Sequence, residues 1–172
     1  MKKCWRQTVD REELWDTVKT WTPSALVAAA GLYFVLTRKD YSLLDAADLF
    51  VHELGHLVFA FMGEPLRMAG GTLLQIIVPV LLTAGFLKGA YRPGVQFSLF
   101  WLGQNFLNIS VYAQDARRQM LPLVGGPHAR HDWNWMLGQM GILDWDQAIG
   151  FIFIGLAFVA FALGVIAPKY LH

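Results

Sequence analysis

Cysteine is nearly absent from this sequence: Cys4 is the only one among 172 residues. A disulfide within the chain is therefore excluded, and so is a zinc site built mainly from thiolates. Charge is also scarce, because Asp, Glu, Lys and Arg make up 16% of the residues, where about 25% is usual for a soluble protein. The formal net charge is only +1, so we expect no nucleic-acid partner.

The N-terminal residues also lack the short apolar segment and cleavage site of a secretory signal peptide, and no internal repeat is visible. Apolar residues, by contrast, make up 55% of the chain. In 172 residues, so many apolar side chains leave too few polar ones to cover a buried core. The composition therefore predicts one all-α transmembrane domain over residues 1–172, surrounded by a lipid bilayer.

Five apolar segments, bounded by Gly, Pro or charged residues, predict a polytopic bundle of about five spans. In chain order they are Pro23–Leu36, Tyr41–Met62, Thr72–Leu87, Val95–Gln114 and Ala148–Ala167. The second has 22 residues, which would extend about 33 Å as a helix and cross a bilayer core. Thr22 and Pro23 suit the N-cap and first position of the first span. We expect an interfacial segment over 1–21, spans one to four over 22–115, a loop with a short amphipathic helix over 116–147, and the last span over 148–167.

The distribution of Lys and Arg predicts the orientation in the membrane, because cytoplasmic loops carry an excess of these residues. With five spans, nine of them fall on the side of the N-terminus and five on the other side. The nine are Lys2, Lys3, Arg6, Arg11, Lys19, Arg67, Arg117, Arg118 and Arg130. We therefore expect a multi-pass protein whose N-terminus is cytoplasmic.

The stretch DLFVHELGHLVFAF, residues 48–61, places two histidines and two acids inside the second apolar segment. Ionisable groups at such positions are costly and usually functional. His52 and His56 lie one helical turn and about 40° apart, so both imidazoles can reach one ion. With Glu53 they form the H-E-x-x-H arrangement, in which the glutamate activates a metal-bound water. The sequence predicts a zinc site, with iron or manganese as other candidates; the alternative is that both histidines bond polar partners inside the bundle.

Two acids precede this motif. Asp45 ends the stretch SLLD, which is typical of a capping box at a helix start. Asp48 lies four residues before His52 and could accept the second ring N–H of that histidine, or act as an alternative ligand. Gly55, inside the motif, permits the close approach of another helix or of a substrate strand.

A zinc site of this kind needs a third protein ligand, and the fourth segment supplies the first candidate. Its polar residues share one helix face and should point into the protein or a cavity. They are Gln104, Asn108, Tyr112 and Asp115.

The loop after the fourth segment contains His128, His131 and Asp132, each of which could bind a metal. Asp132 could instead cap a short helix that begins at Trp133. Histidine has no such expected capping use, which favours His131 as a ligand. Asp115, His131 and Asp132 therefore stay open as the third ligand, and all should lie toward the membrane face that the two motif histidines approach.

The motif His52, Glu53 and His56 resembles that of intramembrane zinc metalloproteases of the site-2 protease class. In that family an aspartate from a later helix, in an N-x-x-P…L-D-G context, is the third ligand. Asn108 and Asp115 resemble this pattern in order and rough spacing, but the proline is absent and QDA stands in place of L-D-G. The stretches GGTLLQ, WLGQNFLN and HDW are more similar to uncharacterised bacterial membrane proteins with the same zinc motif.

This resemblance implies a bacterial inner-membrane zinc metalloprotease. We expect a peptide hydrolase that attacks a membrane peptide substrate with a metal-bound water activated by Glu53. The other hypothesis is a non-catalytic metal-binding subunit of a larger membrane protein complex. A closed shell of four protein ligands would favour the subunit, because it leaves no position for water.

Overall fold

The computed structural model describes residues 11–126 and 129–170, and within these ranges the chain forms α-helices, short 3₁₀ turns and no strand. The prediction of an all-α fold is confirmed. The six α-helices are α1 (Arg11–Leu36), α2 (Leu43–Val58), α3 (Glu64–Lys88), α4 (Arg92–Gln114), α5 (Asp132–Gln139) and α6 (Asp146–Ile166). Three 3₁₀ turns follow α2, precede α6 and end the described chain.

Local sequence explains where the helices near the motif begin. Ser42 caps α2: its hydroxyl accepts from the Asp45 N–H at 3.2 Å, and its own N–H donates to Asp45 Oδ2 at 2.8 Å. The capping box predicted from SLLD is therefore confirmed. Between α2 and α3 the chain turns at Gly63, whose φ of 91° favours glycine. Pro65 then occupies the first turn of α3, where its missing N–H costs no helical hydrogen bond.

Helices α1, α2 and α3 differ from their predicted bounds, and α3 begins at Glu64, eight residues before the predicted Thr72. Helix α1 begins at Arg11 and contains Pro23, so the predicted cap at Thr22 is wrong: the Thr22 hydroxyl donates to the Val18 carbonyl inside the helix. The expected interfacial segment therefore joins the first span from residue 11 onward, while residues 1–10 lie outside the described part. Helix α2 has 16 residues instead of 22, which corresponds to about 24 Å.

Helix α4 is the centre of the packing and contacts α1, α3 and α6, while α2 lies against α3 and α5 lies against α3 and α4. The apolar core lies among α4, α5 and α6, where Ile109 and Leu137 are fully buried. Helix α2 approaches α3 closely, since a Cβ atom on Gly55 would overlap the backbone at Gly70. Gly55 was predicted to permit the close approach of another helix or of a substrate strand, and in the structure it permits the approach of helix α3.

Within residues 11–126 and 129–170, two helical segments are long and apolar enough to cross a membrane by length and composition: α3, and α6 with its flanking turns, Leu143–Lys169. Many large apolar side chains on the outside of the bundle are exposed. Leu26, Leu81 and Phe151, for example, are 65%, 64% and 63% exposed.

Candidate metal centre

The structure brings His52 and His56 of α2 together with Asp132, the first residue of α5. The Oδ2 atom of Asp132 lies 3.0 Å from His52 Nε2 and 3.2 Å from His56 Nε2. One ligand atom from each residue falls within 4.8 Å of the others, so this group could hold a metal ion. Two imidazole nitrogens and one carboxylate oxygen suit Zn²⁺, and the same set also suits Fe²⁺.

The second nitrogen of each imidazole is held by an oxygen atom. His52 Nδ1 lies 3.0 Å from the side-chain oxygen of Gln75, and His56 Nδ1 lies 2.7 Å from the carbonyl oxygen of Arg67. Because both oxygens accept hydrogen bonds, the ring protons belong on Nδ1. The lone pairs of both Nε2 atoms then face the Asp132 carboxylate. Because three hydrogen-bond acceptors at these distances repel one another, a cation or a shared proton must lie between them.

Asp132 is suited to remain ionised in this position. Burial of its carboxyl group raises its pKa, but the His52 and His56 rings, which donate to it and attract it when they carry a proton on Nε2, lower that pKa to about 2. The Tyr112 hydroxyl also donates to Asp132 Oδ2 at 3.2 Å and accepts from the Asp132 backbone N–H. The carboxylate therefore keeps its negative charge across the neutral pH range.

A chain of side-chain amides fixes the orientation of His52. Asp45 can only accept hydrogen bonds, so Asn108 must turn its NH₂ group toward it, at 3.0 Å. The free oxygen of Asn108 then accepts from the NH₂ group of Gln75 at 3.1 Å, which leaves the Gln75 oxygen for His52 Nδ1–H. The charge of Asp45 thus sets the direction of every bond up to the imidazole.

Sequence reasoning missed Gln75, because only ionisable residues of the third segment were considered. A lone glutamine within an apolar run was the signal that could have found it, since a buried amide needs partners. Its neighbour in the same stretch, Gly71, is also required by the site. A Cβ atom on Gly71 would overlap the His52 ring, so glycine lets α3 lie directly against the imidazole.

Asp115 and His131, two predicted candidates for the third ligand, are not brought to the histidine pair. The Asp115 carboxylate accepts from the backbone N–H groups of Met120 and Leu121 at 3.0 Å each, just beyond the end of α4. His131 is the N-cap of α5, and its Nδ1 accepts from the Asn134 N–H at 3.3 Å. The expectation that a histidine would have no capping use is therefore wrong, and so is the assignment of the cap to Asp132.

His131 and Asp115 form a pair of their own. His131 Nε2 lies 3.5 Å from Asp115 Oδ2, and the imidazole ring stacks on Tyr112 with centroids 4.3 Å apart. Burial lowers the pKa of His131, although the nearby carboxylates oppose this effect. A neutral ring fits the capping contact, which needs a lone pair on Nδ1. His128, the other histidine of this loop, lies outside the described residues.

Asp48 also differs from its predicted role. It is fully buried, and its Oδ1 accepts from the Trp101 indole N–H at 2.8 Å. Gln75, not Asp48, accepts from His52. The prediction of Asp48 as the outer partner of His52 is therefore wrong, because α3 packs against this face of α2 and brings its own acceptor.

Glu53 is exposed and lines a cavity of about 540 Å³ together with His52, His56 and Asp132. The cavity walls come from the turn between α1 and α2, from helices α2, α3 and α4, and from the chain around residues 121–124 and 129–132. Of the predicted polar stripe of α4, Asn108 and Tyr112 reach this cavity, whereas Gln104 is buried and donates to Asp45. The three residues that could hold a metal ion thus line a space large enough for a small molecule or a peptide segment.

No family model, curated protein or solved structure matches this chain. The similarity to site-2 proteases therefore stays a prediction from the motif. The proposed function therefore rests on the geometry of His52, His56 and Asp132.

Proposed function

We propose that the protein is a membrane-embedded, zinc-dependent peptide hydrolase. The observation that carries this proposal is the meeting of His52, His56 and Asp132 at the wall of a cavity that Glu53 also lines. Three protein ligands are the number found in catalytic zinc sites, which keep the fourth position for water or substrate. A structural zinc site would have four protein ligands, and the described residues supply no fourth.

The distribution of polar residues supports placement in a bilayer, in which we propose five spans, α1 to α4 and α6. Buried positions between the helices carry glutamine, asparagine, aspartate and serine, while leucine and phenylalanine side chains lie exposed on the outside. Soluble monomers rarely expose apolar patches beyond a few hundred Å². The apolar exterior also suits docking to other membrane subunits, which keeps a metal-binding subunit of a larger complex as the second candidate.

The Lys and Arg distribution supports a cytoplasmic N-terminus, and the inner membrane is proposed only from the resemblance of short sequence stretches to bacterial membrane proteins. The meeting of Asp132 with the α2 histidines fits this topology. An even number of crossings separates α2 from the loop after α4, so both lie toward the same face. In the proposed orientation this is the cytoplasmic face.

In the proposed reaction, the protein holds and activates the reactants. Bound Zn²⁺ would supply a Lewis acid that lowers the pKa of water to about 7 and polarises the scissile carbonyl group. Glu53 would accept a proton from the attacking water on its carboxylate and deliver it to the leaving amine nitrogen. Gln75 and the Arg67 carbonyl keep both imidazoles turned with Nε2 toward the centre.

The Glu53→Gln substitution distinguishes the two proposed functions, the peptide hydrolase and the metal-binding subunit. Glutamine is nearly isosteric but cannot accept the proton, so turnover should fall by about 10²- to 10⁴-fold while zinc content stays at one ion per chain. The assay measures cleavage of a panel of single-span membrane peptides in liposomes, with zinc measured by elemental analysis. Glu13→Gln, on the exposed first turn of α1, is the matched control.

Equal turnover in Glu53→Gln and wild type would reject Glu53 as the base. If wild type cleaves no peptide and Glu53→Gln complements a deletion strain fully, the hydrolase proposal fails. The metal-binding subunit would then take its place, because it requires the two histidines but not Glu53.

A further inference from the structure

The cavity beside the metal centre carries four basic residues, which are Arg38, Lys39, Arg67 and Arg130. Two of them already face an acid: Arg130 pairs with Glu64, and Arg67 Nη2 lies 4.0 Å from the same carboxylate. Lys39 is exposed to solvent. Arg38 is less exposed than these three residues and, unlike Arg67 and Arg130, does not face Glu64.

The guanidinium of Arg38 is half-buried in the turn after α1 and has no partner in the described part of the chain. Its Nε atom is fully shielded and makes no hydrogen bond. A shielded N–H of a cation without an acceptor is costly, and native proteins rarely keep one without a reason. Arg38 also lines the cavity, so a bound molecule could supply an acceptor to the rest of its guanidinium group.

The acids that line the same cavity do not fill this need. Asp45 already accepts from Ser42, Gln104 and Asn108, and Asp132 faces the two histidines. Asp40 and Glu53 are exposed, and neither forms an ion pair with Arg38 among the described residues. A molecule that enters the cavity could therefore supply the acceptor that these acids do not.

We propose that the cavity binds an apolar peptide that carries a carboxylate, and that Arg38 is the residue that binds this carboxylate. The inference depends on the proposed peptide hydrolase. A guanidinium suits the task because it can donate two parallel hydrogen bonds to a carboxylate. The rest of the wall is largely apolar, including Leu49, Met68, Val111 and Leu123, and matches the flanking residues of such a peptide.

Equilibrium binding to the Glu53→Gln protein tests the proposal without turnover. The probes are three forms of one short, fluorescently labelled apolar peptide: with a free C-terminal carboxylate, with a C-terminal amide and one internal glutamate, and with the amide and no acid. At least one acidic form should bind about tenfold more tightly than the neutral form. Arg38→Gln should remove this preference, Arg38→Lys should keep part of it, and Arg118→Gln, the matched control at an exposed arginine outside the cavity lining, should keep it fully.

Equal binding of all three peptides would overturn the proposal, and so would a preference that survives Arg38→Gln or is lost equally in Arg118→Gln. The measurements are made in nanodiscs of phosphatidylcholine and repeated with phosphatidylglycerol. If the anionic lipid abolishes the preference, a headgroup phosphate is the partner of Arg38 and the proposal is also overturned. Arg38-dependent binding by a wild-type protein that cleaves nothing would reject the hydrolase but retain the carboxylate site.

Discussion

Histidine and aspartate lie on both sides of the Tyr112 ring, but their hydrogen-bond partners differ between the two sides. On one side, the Tyr112 ring contacts His52 at a centroid distance of 5.5 Å, next to His56 and Asp132. On the other side it stacks on His131, which faces Asp115. In the first cluster the two imidazole Nε2 atoms and a carboxylate oxygen converge on one point. In the second, backbone N–H groups already bond to His131 and Asp115.

The difference shows that histidine and aspartate content alone does not identify a metal site. At the α4–α5 junction the donors come from the backbone, because a helix end and a turn leave N–H groups without partners. Around His52 and His56 the neighbouring groups are oxygens that bond Nδ1 and leave Nε2 free. The supporting hydrogen bonds, more than the ligand types, decide which cluster can hold an ion.

Asp132→Asn should produce the largest effect. It keeps the size of the side chain but removes the negative charge and turns one ligand oxygen into an NH₂ group. Zinc affinity should fall by at least about 100-fold, the upper end of what loss of an outer-shell partner costs. Competition with a chromophoric chelator measures the affinity. Asp115→Asn is the matched control and should keep stoichiometric zinc; equal affinities in the two variants would remove the distinction between the clusters.

Gln75→Met should have an intermediate effect. The substitution keeps the volume and the apolar contacts but removes the acceptor for His52 Nδ1, so the ring is free to turn and to shift its proton. Zinc affinity should fall by about 10- to 100-fold. Gln96→Met is the control: both glutamines are 2% exposed, but Gln96 bonds to Ser24 and Gly164 away from the histidines. An equal loss in both variants would attribute the effect to general destabilisation.

The all-helical class, the capping box at Ser42 and the pairing of two motif histidines could be predicted, because each depends on residues within one or two turns of a helix. The helix bounds were less accurate. Helix α1 continues through Pro23 toward the N-terminus, and α2 is followed by a 3₁₀ turn before Gly63. Neither outcome follows from hydropathy, since packing against other helices decides where a marginal helix ends.

The choice among Asp115, His131 and Asp132 could not be made from the sequence. It depends on how the loop after α4 folds back over α2, and on which backbone N–H groups that fold leaves to be capped. Gln75 is not ionisable, so it was not among the predicted site residues. Its side chain nevertheless completes the chain of hydrogen bonds from Asp45 to His52. Contacts between distant segments of the chain decide both points.

His131→Asn should have the smallest effect. It tests the comparison at the His131–Asp115 pair instead of at the cluster of His52, His56 and Asp132. Asparagine is a good N-cap, so the bond to the Asn134 N–H can be kept while the ring stacked on Tyr112 is lost. His131→Ala removes both and should destabilise the protein by about 0.5–2 kcal/mol more, the usual range for loss of a cap. Midpoints of thermal unfolding in detergent would rank the three proteins, with zinc content measured in parallel. Both variants should keep one zinc ion per folded chain, because His131 Nδ1 bonds to the backbone and Nε2 faces Asp115 rather than the centre. Loss of zinc from a folded His131→Asn protein would instead place this imidazole in the metal shell and contradict the division between the two clusters.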